Sequence, residues 1–374
     1  MSKYSTISDE LKSEIRQGKY SKTGKLPTEY ELVERFKVSR QTVRQAIACL
    51  KSEGIVSQIQ GSGTFVCDLG ARKNRKNKEN LTIAVICTYI SDYIFPSIIR
   101  GIEESLSGDN YVVNLVATGN KVDKERSILE KIIYNSEVDG IIVEGTKTGL
   151  PNPNISLYRK IKEMGIPIVF VHCAYPELDS SVVVGMKDYE GGRMAVNQLI
   201  RQGSRKIAGI FKSDDRQGLL RYSGFSDGIL ESGLGLDCAE IKWYTTEDLD
   251  DFIVNDNCVQ SLLSKGIDSV VCYNDQIAVR FIKAAAECNG EVPKLISFDN
   301  SYLCKASLVG FTSLGHRKEE LGKVAAEKIK NMLAIEKSKL FDSMKKEKQE
   351  IKEARNSVLK RRVPSQNISS SEFD

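Results

Sequence analysis

Four side chains in one short stretch, Arg40, Gln41, Thr42 and Arg44, are of the types that read base edges in double-stranded DNA. An arginine can bond guanine O6 and N7 together, a glutamine can do the same for adenine, and a threonine can take a base or a phosphate. This chemistry requires that they project from the N-terminal end of a helix able to enter the major groove. The stretch from Thr28 to Gln60 supplies that setting. Thr28 followed by Glu31 has capping-box spacing, and Leu32, Val33 and Phe36 give the helix it starts one apolar face. Lys37-Val38 makes a tight turn, and Ser39 caps a second helix with apolar positions Val43, Ala46, Ile47 and Leu50. Two short helices joined in this way predict a helix-turn-helix. Gly54 ends the second helix. Ile55–Gln60 and Thr64–Cys67, joined by Gly61-Ser62-Gly63, then predict a hairpin wing.

The 374 residues exceed one ordinary domain and divide into three zones: 1–69, 70–80 and 81–374. The middle zone has five basic residues, one acid and one apolar side chain, which cannot form a core and reads as a solvated basic linker. With 54 Lys+Arg against 50 Asp+Glu the whole chain is only mildly basic, so any attraction to nucleic acid must be local. Met1 to Gly18 has no continuous apolar stretch of the signal-peptide kind, and aliphatic runs such as Ile83–Cys87 are strand-sized. Nine cysteines without a CxxC pair, among them Cys49, Cys87 and Cys272 in apolar segments, read as reduced thiols of a cytoplasmic protein. Two histidines, His172 and His316, are too few for a structural zinc site, and no metal or cofactor is expected.

From Leu81 to about residue 335, apolar strands alternate with amphipathic helices, predicting a doubly wound α/β domain with parallel sheets. Candidate strands are 82–87, 111–117, 140–144, 167–172, 206–211, 268–273 and 294–298. Helix-period segments include 97–106, 124–134, 190–201, 218–231 and 276–287. The strands are continuous apolar runs, as expected when both faces are covered. The length suggests two lobes with a cleft between them. No GxGxxG follows the first strand, and no GxxxxGK[ST] or GxSxG is present, which argues against an enzyme. The charged segment 335–355 reads as an exposed helix with Lys346 and Glu350 paired at i,i+4.

The first zone, KLPTEYELVERFKVSRQTVRQAIACLKSEGIVSQIQGSGTFV, resembles the winged-helix DNA-binding domain of the GntR family. The resemblance implies recognition-helix roles for Arg40, Gln41 and Arg44, a phosphate or base role for Thr42, and minor-groove entry by Gln60 and Gly61. Lys3 and Lys25 lie where lysines could contact the DNA backbone, or serve as ordinary surface. The third zone resembles the LacI/GalR repressors and periplasmic sugar-binding proteins through blocks such as ISDYIFPSIIRGIEESL, VDGIIVEGTKT, KDYEGGRMAVNQLI, RYSGFSDGIL, CYNDQIAVRF and LISFDNS. It implies that Arg221, Asn274 and Asp299 bond sugar hydroxyls, with Glu190 at an acidic position and Asp188 as a nearby substitute.

In the first lobe Tyr93 and Phe95 could stack on a sugar face, Glu144 and Lys147 end a strand, and His172 could donate a hydrogen bond. Each follows a strand, where open α/β sheets place ligand loops, and together they suit a ring of hydroxyls with apolar faces. The combination of the two halves is similar to the L-arabinose repressors of Gram-positive bacteria. That implies L-arabinose as effector, a pseudo-palindromic operator in double-stranded DNA, a homodimer and no membrane. Another sugar, a nucleoside or purine ligand, and activation instead of repression remain open alternatives.

Overall fold

Apolar positions three and four apart, and apolar runs of strand length, decide where the elements fall. The computed structural model describes all residues except 1–2, 17–18, 21–23, 53–54, 60–62, 67–79, 91–92, 109, 136, 179, 250, 252–257, 289–290, 308, 316 and 339–374. In the first zone three helices, α1 (Lys3–Arg16), α2 (Glu29–Phe36) and α3 (Arg40–Ser52), precede a wing of β1 (Val56–Ile59) and β2 (Gly63–Val66). The wing strands pair antiparallel, with Val56 opposite Val66 and Ile59 opposite Gly63. The backbone at Gly24–Leu26 runs alongside β2, Leu26 N–H donating to Thr64 O at 2.8 Å. The anticipated capping box is formed: Glu31 N–H donates to Thr28 Oγ1 at 3.3 Å and Thr28 N–H to Glu31 Oε2 at 2.7 Å. Lys37 turns the chain between α2 and α3 with φ 50°.

The third zone holds two five-stranded sheets, both wholly parallel. The first lobe is built on β3 (Leu81–Cys87), β4 (Tyr111–Ala117), β5 (Gly140–Val143), β6 (Ile168–Val171) and β7 (Val182–Val184), in the spatial order β4-β3-β5-β6-β7. Its helices are α4 (Phe95–Leu106), α5 (Val122–Asn135) and α6 (Ile155–Glu163). The second lobe orders β12-β11-β10-β8-β9, where β8 is Ile207–Lys212, β9 Ala239–Tyr244, β10 Ser269–Cys272, β11 Lys294–Phe298 and β12 Thr312–Leu314. Helices α7 (Asp188–Arg201), α8 (Arg216–Glu231), α9 (Cys258–Ser264), α10 (Asp275–Glu287) and α11 (Tyr302–Ala306) accompany it.

Most central strands are buried along their length, as the continuous apolar runs imply, and Cys87 and Cys272 are buried within them. Strand β4 departs from that expectation. It alternates half-buried and exposed residues because it is a sheet edge.

Two glycine contacts set helix spacing. A Cβ on Gly224 of α8 would lie 1.8 Å from Tyr189 O, and one on Gly192 of α7 would lie 2.1 Å from Arg221 O. Glycine at both positions therefore lets α7 and α8 touch backbone to backbone, which brings the start of α7 beside Arg221. The last described helix, 318–338, returns to the first lobe, where Gly322 meets Ile98 O of α4 in the same manner. Of the charged segment 335–355, residues 335–338 belong to this helix; the rest, Lys346 and Glu350 included, lies outside the described residues, as does nearly all of the basic linker.

Helix α1 was not legible as an element. It forms because Ile7 and Leu11, one turn apart, join Leu32, Val43, Ile47 and Leu50 in the core of the first zone. It is also clamped by charge. Arg35 Nη1 donates to Glu14 Oε2 at 2.8 Å and Nη2 to Glu14 Oε1 at 2.6 Å, with Tyr20 Oη donating to the same carboxylate at 2.5 Å. The hydrogen bond from Arg35 outweighs burial and holds the Glu14 carboxyl down at about 2. A carboxyl depressed on folding stabilises the folded state above its unfolded value of 4.5, and that contribution is lost as pH falls toward 2. Glu14→Gln should therefore destabilise the N-terminal domain by ~1–3 kcal/mol at pH 7. In thermal unfolding, the gap between variant and wild type should close as pH falls from 4.5 toward 2.

Candidate functional site

The reading helix is presented by its own cap. Ser39 Oγ accepts the Thr42 N–H at 3.2 Å and bonds the Thr42 hydroxyl at 2.9 Å, so Thr42 is committed to the turn that starts α3. Beyond it Arg40 and Arg44 stand largely exposed, 70% and 60%, and Gln41 is exposed beside them. Both arginines use Nε on one carboxylate oxygen, Glu29 Oε2, at 3.1 and 3.0 Å. Glu29 thus gathers the two guanidinium groups on one face while their terminal nitrogens remain available for base edges. Lys25 pairs with β2 as an isolated bridge to Phe65 and lays its ammonium over that ring at 5.7 Å. Lys3 is exposed at the first turn of α1. Gln60 and Gly61 fall outside the described residues.

In the effector half, ligand loops follow strands β3, β5, β6, β8, β10 and β11, as the fold rule requires. Six of the eight described non-glycine residues with positive φ sit on or beside such loops: Tyr93, Asn120, Lys147, His172, Asp299 and Asn300. Backbone held in this region is costly and collects where a ligand is clamped. The loops line a small opening, with Glu144, Lys147 and His172 from the first lobe and Lys212, Asp215 and Gln217 from the second.

On its first-lobe side Glu144 organises the chemistry. One oxygen accepts from the Thr88 N–H at 2.9 Å and from the Thr88 hydroxyl, and the other meets His172 Nδ1 at 3.1 Å. Burial opposes a charged imidazole, yet the hydrogen bond and charge of Glu144, reinforced by Asp299 and Asp188, raise the His172 pKa above its ordinary value. Phe95 packs against the His172 ring in a T-shaped pair, centroids 6.1 Å apart, and so buttresses the histidine. Lys147 bridges to the second lobe, 2.6 Å from Glu247 and 3.7 Å from Asp214.

The second lobe contributes a buried charge cluster. Arg221, 1% exposed, donates from Nε to Asp188 Oδ1 at 2.8 Å and from Nη1 to Tyr273 O at 2.5 Å. Its guanidinium lies over the rings of Tyr273 and Phe298, at 4.9 and 4.3 Å. Desolvation works against this charge, but Asp188 and Asp299 outweigh it and raise the Arg221 pKa further. Nη2 stands 3.7 Å from Asp299, an ion pair too long for a hydrogen bond, which leaves donor capacity toward the cleft. Burial pushes the Asp299 carboxyl up, with Asp275 adding to the shift and Arg221 opposing it.

Asn274 caps α10 through its carbonyl, accepting Ile277 N–H at 3.1 Å, and keeps its amide N–H groups for other partners. Tyr93 reaches across from the first lobe, its hydroxyl accepting the Asp275 N–H at 3.0 Å. Tyr93, Arg221, Asn274 and Asp299 therefore form an inner cluster that does not line the opening itself. Gln217 joins the two, lining the opening and donating to Asp188 at 3.3 Å.

The structure leaves Glu190 exposed, and Asp188, the nearby alternative, is the buried partner of Arg221. Two residues on a helix are about 200° apart, so only one of the pair can face inward. Lys212, Asp215 and Gln217 were missed by sequence reasoning. Their signal was present, since Lys212 ends β8 and Asp215 caps α8, accepting Gln217 N–H at 3.3 Å. Lys212 is held charged against its burial by Asp215 and Asp214.

Residues 3–66 match the model of the gntR family of bacterial regulatory proteins, and residues 196–349 match that of the periplasmic binding protein-like domain. An arabinose metabolism transcriptional repressor of Halalkalibacterium halodurans is 38% identical over 332 residues, covering 87% of this chain and 88% of that one. A protein of the same description from Geobacillus stearothermophilus is 35% identical, covering 88% and 91%. The chain belongs to this family of GntR regulators. A solved periplasmic binding protein/LacI transcriptional regulator from Alkaliphilus metalliredigens QYMF, complexed with D-xylulofuranose, shares the fold. Its TM-score is 0.56 at 24% identity, over 68% of this chain and 91% of that one.

This GntR regulator is thus a DNA-binding transcription regulator with a LacI-like effector domain, not an enzyme. Among the described residues no helix is long and apolar enough to cross a membrane. Arg44→Ala should weaken binding to a duplex from the regulator's own promoter by roughly 10- to 100-fold, the value of one good base contact. An electrophoretic mobility shift titration checks this; an unchanged midpoint would remove Arg44 from the interface.

Proposed function

We propose that this regulator is a cytoplasmic repressor of L-arabinose utilisation genes that leaves its operator when the sugar occupies the interlobe cleft. What carries the reading is that similarity to the two arabinose metabolism repressors runs through 87–88% of the chain, so reader and sensor occur in the same combination. The cleft's inventory fits the ligand. Arg221, Asp299, Asp188 and Asn274 on one side, and Glu144 with His172 on the other, offer charge-assisted hydrogen bonds to a small polyol. A relative of the same fold has been solved with D-xylulofuranose bound.

The regulator acts as a homodimer whose two winged helices meet a pseudo-palindromic operator, since twofold symmetry in the protein calls for it in the DNA. Gln60 and Gly61 of the wing enter the minor groove, Thr42 steadies the start of the recognition helix, and Lys3 and Lys25 approach the phosphates. Release requires that the sugar bind the DNA-incompetent arrangement of lobes more tightly than the competent one.

Fluorescence anisotropy of labelled promoter DNA, titrated with protein, tests the reading. L-Arabinose should raise the apparent Kd for DNA at least tenfold, while D-glucose and uridine leave it unchanged. Arg221→Lys, which keeps the charge but loses the Nε that holds Asp188, should bind DNA like wild type. It should need roughly 10- to 100-fold more sugar for release. Tight DNA binding indifferent to L-arabinose would assign the cleft to another ligand.

A further inference from the structure

Tyr93 is placed in a way that an open stacking platform would not need. Its φ of 65° is a conformation that a bulky residue adopts only when its surroundings compel it. From that backbone its hydroxyl crosses to the second lobe, 3.0 Å from the Asp275 nitrogen, within hydrogen-bonding range of Asp299 and Ser301. The Asp275 N–H is the first of α10, a donor that the helix itself cannot satisfy. Asp299 is 6% exposed, and its other close partner, Arg221 Nη2, stays 3.7 Å away. An aromatic hydroxyl here does for these groups what a sugar hydroxyl would do. The opening lined by Glu144, His172 and Lys212 stops short of this inner cluster.

We propose that Tyr93 is an internal competitor of the effector. In the sugar-free protein its hydroxyl holds the position beside Asp275 and Asp299 that a sugar hydroxyl takes, and the sugar binds by displacing it. The inference rests on the sugar-binding reading above. Displacement has two consequences. The apparent affinity is reduced by the fraction of molecules in which Tyr93 is still docked, and leaving the pocket frees Tyr93 from its left-handed backbone. An effector too small or too poor in hydroxyls to replace the phenol's contacts is rejected, because those polar groups would be left unpaired.

Isothermal titration calorimetry of the full chain with L-arabinose separates a competitor from a platform. Tyr93→Phe keeps the ring but loses the anchoring hydroxyl, and should bind L-arabinose about fivefold more tightly than wild type, the factor of one modest hydrogen bond. Tyr93→Ala should bind at least as tightly as wild type. Weaker binding by Tyr93→Ala, with Tyr93→Phe equal to wild type, would make Tyr93 a stacking platform and overturn the proposal.

Hydrogen exchange at the Asp275 amide gives a readout that needs no sugar. Exchange about tenfold faster in Tyr93→Phe is expected, and unchanged protection would overturn the proposal. If neither wild type nor variants take up L-arabinose, the sugar reading fails, and the amide exchange still decides whether Tyr93 fills the subsite.

Discussion

The guanidinium of Arg221 is charged and almost wholly removed from water. An isolated charge in that position would be untenable, since leaving one buried partner uncompensated costs about 3–5 kcal/mol. The lobe is arranged around meeting that demand. Asp188 must reach Nε from the first turn of α7, the Tyr273 carbonyl must end β10 within range of Nη1, and two aromatic rings must flank the plane. Backbone contact at Gly192 and Gly224 is what allows α7 and α8 to approach closely enough for the first of these. The remaining weak point is Nη2, which faces Asp299 at 3.7 Å without a hydrogen bond.

The first lobe answers with a different kind of preparation. Glu144 is fixed by the Thr88 backbone and hydroxyl, and His172 is aimed by Glu144 and braced by Phe95. Beneath them the buried carboxylate of Glu125 accepts from the hydroxyls of Tyr158 and Tyr175, the amides of Asn152 and Asn154, and the Thr146 N–H. This network fixes the loop that carries Lys147 across to Asp214 and Glu247, so the lobes are already joined at one flank of the opening.

Much of this was legible in the sequence because strand ends are. Central strands announce themselves as continuous apolar runs, and the residues that follow them fall on the loops beyond the strand ends almost by construction, as Glu144, His172, Asn274 and Asp299 do. The three strands not anticipated, β7, β9 and β12, are all sheet edges, short or mixed in polarity, and lack such runs. Glu190 was favoured over Asp188 because sequence spacing cannot say which of two acids on one turn faces inward before the helix partner is known. That Tyr93 would reach the other lobe instead of lining the opening was not readable at all, since it depends on a left-handed backbone and on a contact 182 residues away. In the reader, by contrast, cap, turn, helix and wing are local in sequence, and the structure reproduces them within one or two residues.

The central claim is that an aldopentose sits between the lobes with the free side of Arg221 on one of its hydroxyls. Crystallisation of the full chain with L-arabinose tests it most directly. The account predicts density for one sugar per chain, with hydroxyls bonded to Arg221 Nη2 and Asp299 on the second lobe and to Glu144 or His172 on the first. A sugar bound elsewhere, or an Arg221 that stays engaged only with Asp188 and Tyr273 while the sugar rests in the outer opening, would contradict it.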